Sequence, residues 1–265
     1  MSSSSAVVEF TSVSKYFKDR SNNIVTALDD VSFHIDKGKI LGLVGQSGSG
    51  KTTAARISVA LTKPSKGSVI VDGIDVGKIK DRKKLWVKAQ YIHQDPYSSL
   101  DPYMTVREVL ERPLKFLLGQ QKQVLQEPIA RMVQVIGLDM SFLDKRIQEL
   151  SGGERQRIMI ARAFITNPVY AVADEPTTMI DSIHRNAILE LLQKLKTEFN
   201  TSFLLITHDL SIAAELCDDL AIMQKGKIVE QGRKDSILNN PQEQYTRDLL
   251  SATPEKLVEE AERQT

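Results

Sequence analysis

Gly45-Gln46-Ser47-Gly48-Ser49-Gly50-Lys51-Thr52 is the stretch on which the fold turns. It fits G-x-x-x-x-G-K-[ST], a pattern that average composition would place in about one chain in a hundred of this length. Phosphate oxygens packed against such a loop leave no room for side chains, so glycines stand where a side chain would collide. The loop amides point inward and hold anions, helped by the dipole of the helix that follows. Lys51 sets a cation near the β and γ phosphates, and Thr52 offers a hydroxyl to Mg²⁺. Candidate nucleotide contacts are therefore Gly45, Gln46, Ser47, Gly48, Ser49, Gly50, Lys51, Thr52 and Thr53.

The flanks suit the loop. Residues 40–44 form a short, almost wholly apolar run, as expected of a buried parallel strand, and a helix should run from Lys51 to about Ala60. Upstream, residues 7–13 and 27–35 read as strands separated by a polar loop at 18–23. Downstream, residues 68–71 end at Asp72-Gly73, a hairpin signal.

From about Asp95 to Asn167 the chain is turn-rich and then mainly helical. Pro128 could start a helix that ends at Gly137. A further helix is expected from Ser151 to Thr166, stopped by Asn167-Pro168. The α/β pattern then resumes with strands at 169–173 and 203–206. Between them Ile180, Ile183, Ala187, Ile188, Leu191, Leu192 and Leu195 draw an apolar stripe along a helix. Residues 220–223 and 228–231 flank Lys225-Gly226 as a last hairpin. Strand–helix alternation interrupted by a helical insert implies that the two α/β segments form one sheet.

Two more stretches carry chemistry. Val169–Ala173 leads into Asp174-Glu175, where Asp174 can hold Mg²⁺ through water and Glu175 can polarise an attacking water as general base. In Leu150-Ser151-Gly152-Gly153-Glu154-Arg155-Gln156-Arg157, Ser151 and Glu154 make a capping box that opens a helix. The two glycines leave that helix N-terminus unusually open, a second phosphate-binding end.

Global properties set limits. The chain has 265 residues, 41% hydrophobic and 26% charged, with a formal net charge of +1, which gives no basic excess of the kind nucleic-acid binders show. No run approaches the ~18 apolar residues of a membrane-spanning helix. The Ser-rich start lacks a basic n-region, so no signal peptide is expected there. The one cysteine, Cys217, excludes an intramolecular disulfide and fits a core position.

The P-loop, then LSGGERQR, then the strand ending in Asp-Glu, in that order, resembles the ABC ATPase family from about Val8 to Gly232. The resemblance implies an α/β fold: a P-loop, RecA-like ATPase core with an N-terminal antiparallel β subdomain and an α-helical insert subdomain. It implies an ATPase domain over residues 6–250, its insert at about 95–167, and a charged tail at 251–265. Gln94, in Tyr91-Ile92-His93-Gln94-Asp95-Pro96, looks like the Q-loop glutamine, which contacts Mg²⁺ and the attacking water and links the site to membrane subunits. His208, in Leu205-Ile206-Thr207-His208-Asp209, looks like the switch histidine that contacts the γ-phosphate. Implied catalytic residues are thus Glu175, His208, Gln94 and Lys51, and implied metal contacts are Thr52, Gln94 and Asp174. The adenine-stacking aromatic looks like Phe17, with Tyr16 as alternative. Thr178-Met179-Ile180-Asp181 departs from the usual S-A-L-D of the D-loop but keeps Asp181, to which a cross-dimer contact is carried over.

The resemblance further implies ATP and Mg²⁺ as cofactors and a head-to-tail dimer with a second ATPase subunit, a related chain or a second copy. Ser151, Gly152 and Gly153 would then meet the γ-phosphate of the partner's ATP. The small insert and single cassette are similar to transporter motors rather than to soluble repair or translation proteins. Gln94–Val106 and Pro241–Pro254 resemble the oligopeptide/dipeptide import subfamily, which also includes nickel and oligosaccharide importers. That implies two transmembrane permease subunits, an extracytoplasmic substrate-binding protein, no nucleic acid, and a place on the cytoplasmic face of the membrane.

Overall fold

The computed structural model describes residues 6–178 and 182–252, without the side chains of Ser182, Ile183 and His184. In chain order it forms β1 (Ala6–Lys18), β2 (Ile24–Asp36), β3 (Ile40–Val44), α1 (Lys51–Ser58), β4 (Lys66–Val71), β5 (Ile74–Asp75), α2 (Lys83–Lys88) and β6 (Ala89–Ile92). There follow α3 (Pro96–Ser99), α4 (Val106–Leu118), α5 (Gln126–Val135), α6 (Gly152–Phe164), β7 (Tyr170–Asp174), α7 (Ser182–Phe199) and β8 (Ser202–Thr207). The chain closes with α8 (Leu210–Leu216), β9 (Asp219–Gln224), β10 (Lys227–Arg233), α9 (Lys234–Asn239) and α10 (Gln244–Ser251).

The strands make two sheets. β2-β1-β4-β5 is antiparallel, and β10-β9-β3-β8-β7-β6 is parallel except for its edge strand β10. The α/β segments on either side of the helical insert, β3 before it and β7, β8 and β9 after it, share one sheet as the alternation implies. β1–β2 and β4–β5 are hairpins, which can only make antiparallel pairs, and β4 returns to pair antiparallel with β1, so these four strands form a separate layer.

The central strands are apolar throughout because both their faces are covered. Leu41, Leu43, Val172, Leu204 and Ile206 pack towards α1 and the antiparallel sheet. Ile40, Val44, Ala171, Ala173, Phe203 and Leu205 pack towards the helices of the other side. The alternation follows the two-residue period of a strand, and each large side chain so buried contributes about 1.5–3 kcal/mol. Cys217 is buried in the helical-side core, where burial pushes its thiol pKa up.

Both anticipated hairpins are present. Asp72-Gly73 and Lys225-Gly226 each have positive φ at both central residues (44° and 76°; 47° and 83°), the geometry that matches strand twist in two-residue turns. Ile188, Leu191, Leu192 and Leu195 of the expected stripe are buried on α7 and Leu189 joins them, whereas Ala187 is only half-buried. Ile180, the side chain of Ile183, Asp181 and residues 253–265 of the tail lie outside the described residues. The Pro128 helix begins two residues earlier, at Gln126, with proline in its first turn, where a missing N–H costs nothing. Sequence reading did not resolve α4, which carries Pro113 inside it. A capping box holds its start, Glu108 N donating to Thr105 Oγ1 (3.2 Å) and Thr105 N to Glu108 Oε2 (2.8 Å).

Candidate functional site

The loop from Gly45 to Gly50 joins the C-terminal end of β3 to the N-terminus of α1, and its first and last glycines are sterically forced. A Cβ at Gly45 would stand 2.1 Å from the Met223 carbonyl oxygen. One at Gly50 would stand 2.5 Å from that of Ala27, on a backbone with φ of +109°. The loop is tied from outside, since Gly226 N donates to Ser49 O (2.9 Å). Lys51 is buried at the start of α1, and its ammonium donates to Gly45 O (2.6 Å) and Gln46 O (2.9 Å). Burial lowers its pKa, against the opposing charges of Glu175 and Asp174. Ser49 Oγ is buried without a hydrogen-bond partner, while Gln46, Ser47, Gly48 and Thr52 are exposed and Thr53 is half-buried.

β7 and β8 bring the remaining groups to the same end of the sheet. Asp174, the last residue of β7, is buried and accepts a hydrogen bond from the Tyr91 hydroxyl on β6. Burial raises the Asp174 pKa; the Tyr91 bond opposes that shift and the Glu175 charge adds to it. Burial also raises the pKa of Tyr91, as does the Asp174 charge. Glu175 follows with φ of 46°, a left-handed conformation that costs a non-glycine residue of order 1–3 kcal/mol. Its N–H donates to Ile206 O (2.9 Å), which fixes the turn against β8.

The carboxylate of Glu175 is the meeting point of the site. Gln94 Nε2 donates to Oε2 (3.1 Å) and Thr178 Oγ1 donates to the same oxygen (2.9 Å), while His208 Nδ1 lies 3.0 Å from Oε1. His208 follows β8 and precedes Asp209, whose side chain caps α8 by accepting from Ser211 N (2.8 Å). Gln94, Glu175 and His208 thus converge, and Asp174 and Lys51 sit close enough to Glu175 for its charge to act on both.

Two expected contacts lie apart from this cluster. Phe17 is 43% exposed, with Lys15 Nζ 4.8 Å from its ring centre. It pairs with Val25 on β2, two residues from the Ala27 carbonyl that touches Gly50, or about 7 Å along the strand. Tyr16 faces Lys66 instead. Ser151 caps α6 in the anticipated box, with Glu154 N to Ser151 Oγ at 3.3 Å and Ser151 N to Glu154 Oε2 at 2.7 Å. A Cβ at Gly152 would meet nothing closer than 3.6 Å, so no packing inside the chain requires a glycine there. α6 packs on β6, which lies three places from β3 in the sheet, about 14 Å across it. Asp181 lies outside the described residues.

Four neighbours of the site were not legible in the sequence: Tyr91, Thr178, Gln156 and Tyr245. Gln156 is buried on α6 and donates from Nε2 to Pro176 O (2.7 Å), joining the helix of the double glycine to the Glu175 turn. No local pattern marks a parallel register or a contact of this kind; only proximity to Ser151 singles Gln156 out. Beside Gln94, a groove is lined by Leu61, Trp86, His93, Arg112, Phe116 and Arg162, with Leu61 and Phe116 exposed.

A family model described as ABC transporter matches residues 28–178. The chain belongs to the ABC transporter family. It is 36% identical over 261 residues to the oligopeptide transport ATP-binding protein AppF of Bacillus subtilis, covering 94% of this chain and 78% of that one. It is 39% identical over 233 residues to the dipeptide transport ATP-binding protein DppF of Escherichia coli, covering 87% and 70%. Among solved structures it resembles the ATP-binding cassette MJ0796, a dimer in a post-hydrolysis state bound to ADP and Pi. The TM-score is 0.77 and the identity 29%, over 86% of this chain and 98% of that one. The cbiO1 structure of Clostridium perfringens, 20% identical with a TM-score of 0.79 over 98% of this chain and 99% of that one, shares the fold. The ABC cassette architecture expected from the sequence is thereby borne out.

Proposed function

We propose that this ABC chain is the ATP-hydrolysing subunit of a peptide importer. The observation that carries the reading is the convergence of Gln94 and His208 on the two oxygens of Glu175, beside a buried lysine in a phosphate-binding loop. The peptide cargo is supported by the oligopeptide and dipeptide transport names of AppF and DppF and by the Gln94–Val106 stretch.

The phosphate-facing amides of the loop and the Lys51 ammonium hold the triphosphate, while the Gln46 amide is taken by the Tyr245 hydroxyl. Lys51, desolvated and resting on two carbonyls, gains an anionic partner when it turns to the phosphates. Phe17 offers its exposed face to the base. Glu175 orients and deprotonates the attacking water, and its left-handed backbone aims the carboxylate out of the strand end. Gln94 positions that water, and His208 passes from Glu175 to the γ-phosphate as charge develops there.

Mg²⁺ fits the residues present. It is commonly held by one or two carboxylates together with phosphates rather than by an all-protein cage. No cluster of three or more His, Cys, Asp or Glu that could hold a metal exists among the described residues, but Asp174 lies near enough to Lys51 for its charge to act on it, Thr52 follows Lys51 in the chain, and Gln94 is bonded to Glu175. Asp174 would hold the ion through water and Thr52 through its hydroxyl; the ion would neutralise phosphate oxygens.

Two cassettes pack head to tail, with Ser151, Gly152 and Gly153 of one closing on the ATP of the other. The unforced glycine at 152 and the distance of α6 from β3 support that partner-facing role, as does the dimeric MJ0796 cassette. No helix among the described residues is long and apolar enough to cross a membrane, so permease subunits supply the channel and an extracytoplasmic protein selects the peptide. The groove beside Gln94 receives a permease, at the cytoplasmic face of the membrane. A pull-down tests this: tagged Glu175→Gln protein with Mg-ATP is recovered from detergent-solubilised native membranes. Two multi-spanning proteins and a second ATPase are expected; recovery of ribosomal or DNA-associated proteins alone would overturn the transport reading.

A further inference from the structure

The C-terminal helix reaches back to the phosphate loop. Tyr245, on α10, accepts a hydrogen bond at its hydroxyl from the backbone N–H of Gln46, 199 positions away in sequence, at 3.2 Å. Gln46 also accepts at its own carbonyl from Ser49 N (3.2 Å) and Lys51 Nζ (2.9 Å), and the Gly45 carbonyl that shares a peptide plane with Gln46 N accepts from Lys51 Nζ (2.6 Å). One residue, through its two peptide groups, therefore connects α10, the turn of the loop and the lysine that meets the phosphates.

The hydroxyl is delivered by packing. The Tyr245 ring, Leu249 and Leu250 pack on the helical-side core, and Thr246 between them is buried. The start of α10 is clamped to β10, since Glu230 accepts from Gln242 N (2.8 Å) and Glu243 N (3.3 Å). β10 belongs to the hairpin whose Gly226 N holds Ser49 O. The loop is thus gripped at Gln46 and at Ser49 by one continuous C-terminal unit, β9–β10 and α10.

We propose that Tyr245 is a positioning residue for ATP binding, and that α10 acts as a strap which presets the phosphate loop. A loop already fixed at Gln46 loses less freedom when the phosphates bind, and the saving appears as affinity. The chemistry of hydrolysis, centred on Glu175, does not touch this hydrogen bond. Tyr245 therefore governs KM and Kd for ATP rather than kcat. The inference rests on the assignment of Gly45–Thr52 as the phosphate cradle.

Tyr245→Phe is the discriminating variant, because it keeps the ring and removes only the hydroxyl. Mg-ATP affinity is measured by calorimetry, and turnover by phosphate release, on the full chain. One hydrogen bond of ordinary strength predicts Kd and KM raised about two- to tenfold with kcat nearly unchanged. Amide hydrogen exchange of the peptide spanning Gln46 should quicken in the nucleotide-free variant while the Tm holds. If α10 serves only to pack, Tyr245→Phe binds Mg-ATP and exchanges as the wild type does, and the proposal falls. Lys51→Ala run alongside separates the two claims: retained affinity there removes the cradle assignment and the strap with it. Lost affinity there with an unaltered Tyr245→Phe removes the strap alone.

Discussion

His208 Nδ1 stands 3.0 Å from Glu175 Oε1, while the other oxygen of that carboxylate is held by Gln94 and Thr178. Glu175 is therefore restrained on both sides. Glu175→Gln keeps the shape of the site but removes a proton acceptor. Phosphate release should fall by about 10²-fold or more. ATP should still bind, and light scattering should show a larger dimer fraction with Mg-ATP than for the wild type. Turnover at the wild-type rate would show that the base lies elsewhere.

His208→Ala should act on the same step from the other side. It deletes the partner of Oε1 and the group proposed to meet the γ-phosphate. A loss of about 10²-fold in kcat with ATP affinity nearly kept is expected. An effect confined to KM would assign His208 to binding instead.

Lys51→Ala removes a buried cation and its two carbonyl contacts. Equilibrium binding of Mg-ATP should weaken by at least tenfold, since a charge-assisted contact contributes about 1.5–3 kcal/mol. Unchanged affinity would separate this lysine from the phosphates.

Asp174 carries a stability cost with a definite sign. Burial raises its folded-state pKa above 3.8, so in the window between the two values the native state binds more protons than the unfolded state. Stability then falls as pH rises through that window. Asp174→Asn should raise the Tm of the nucleotide-free protein at pH 7 while lowering Mg²⁺-dependent turnover. The gain in Tm should shrink as pH approaches 3.8. A Tm below that of the wild type at pH 7 would mean that the Tyr91 bond outweighs desolvation.

Gln156→Leu leaves the buried Pro176 carbonyl without its donor. Urea unfolding should register a loss of about 1–3 kcal/mol. Because Pro176 follows Glu175, kcat should fall as well. A stability loss with kcat intact would show that α6 braces the turn without tuning it.

Local motifs carried much of this molecule into its sequence. The two hairpin turns and the Ser151 box depend on contacts within a few residues, so composition and spacing determined them, whereas the glycines at 45 and 50 were legible as a motif although the carbonyls of Met223 and Ala27 that force them are distant in sequence. The family resemblance then pointed to Gln94, Glu175 and His208 one at a time. The tertiary structure decided their meeting. Gln94 and Glu175 are 81 positions apart and Glu175 and His208 are 33 apart, and only the order β3-β8-β7-β6 brings these strand ends side by side. Parallel strands are joined by long crossovers, so no turn sequence fixes which strand neighbours which. The bond of Tyr91 to Asp174 and that of Tyr245 to Gln46 have the same origin: each joins groups that share no local pattern, and packing of the whole core alone sets their distance.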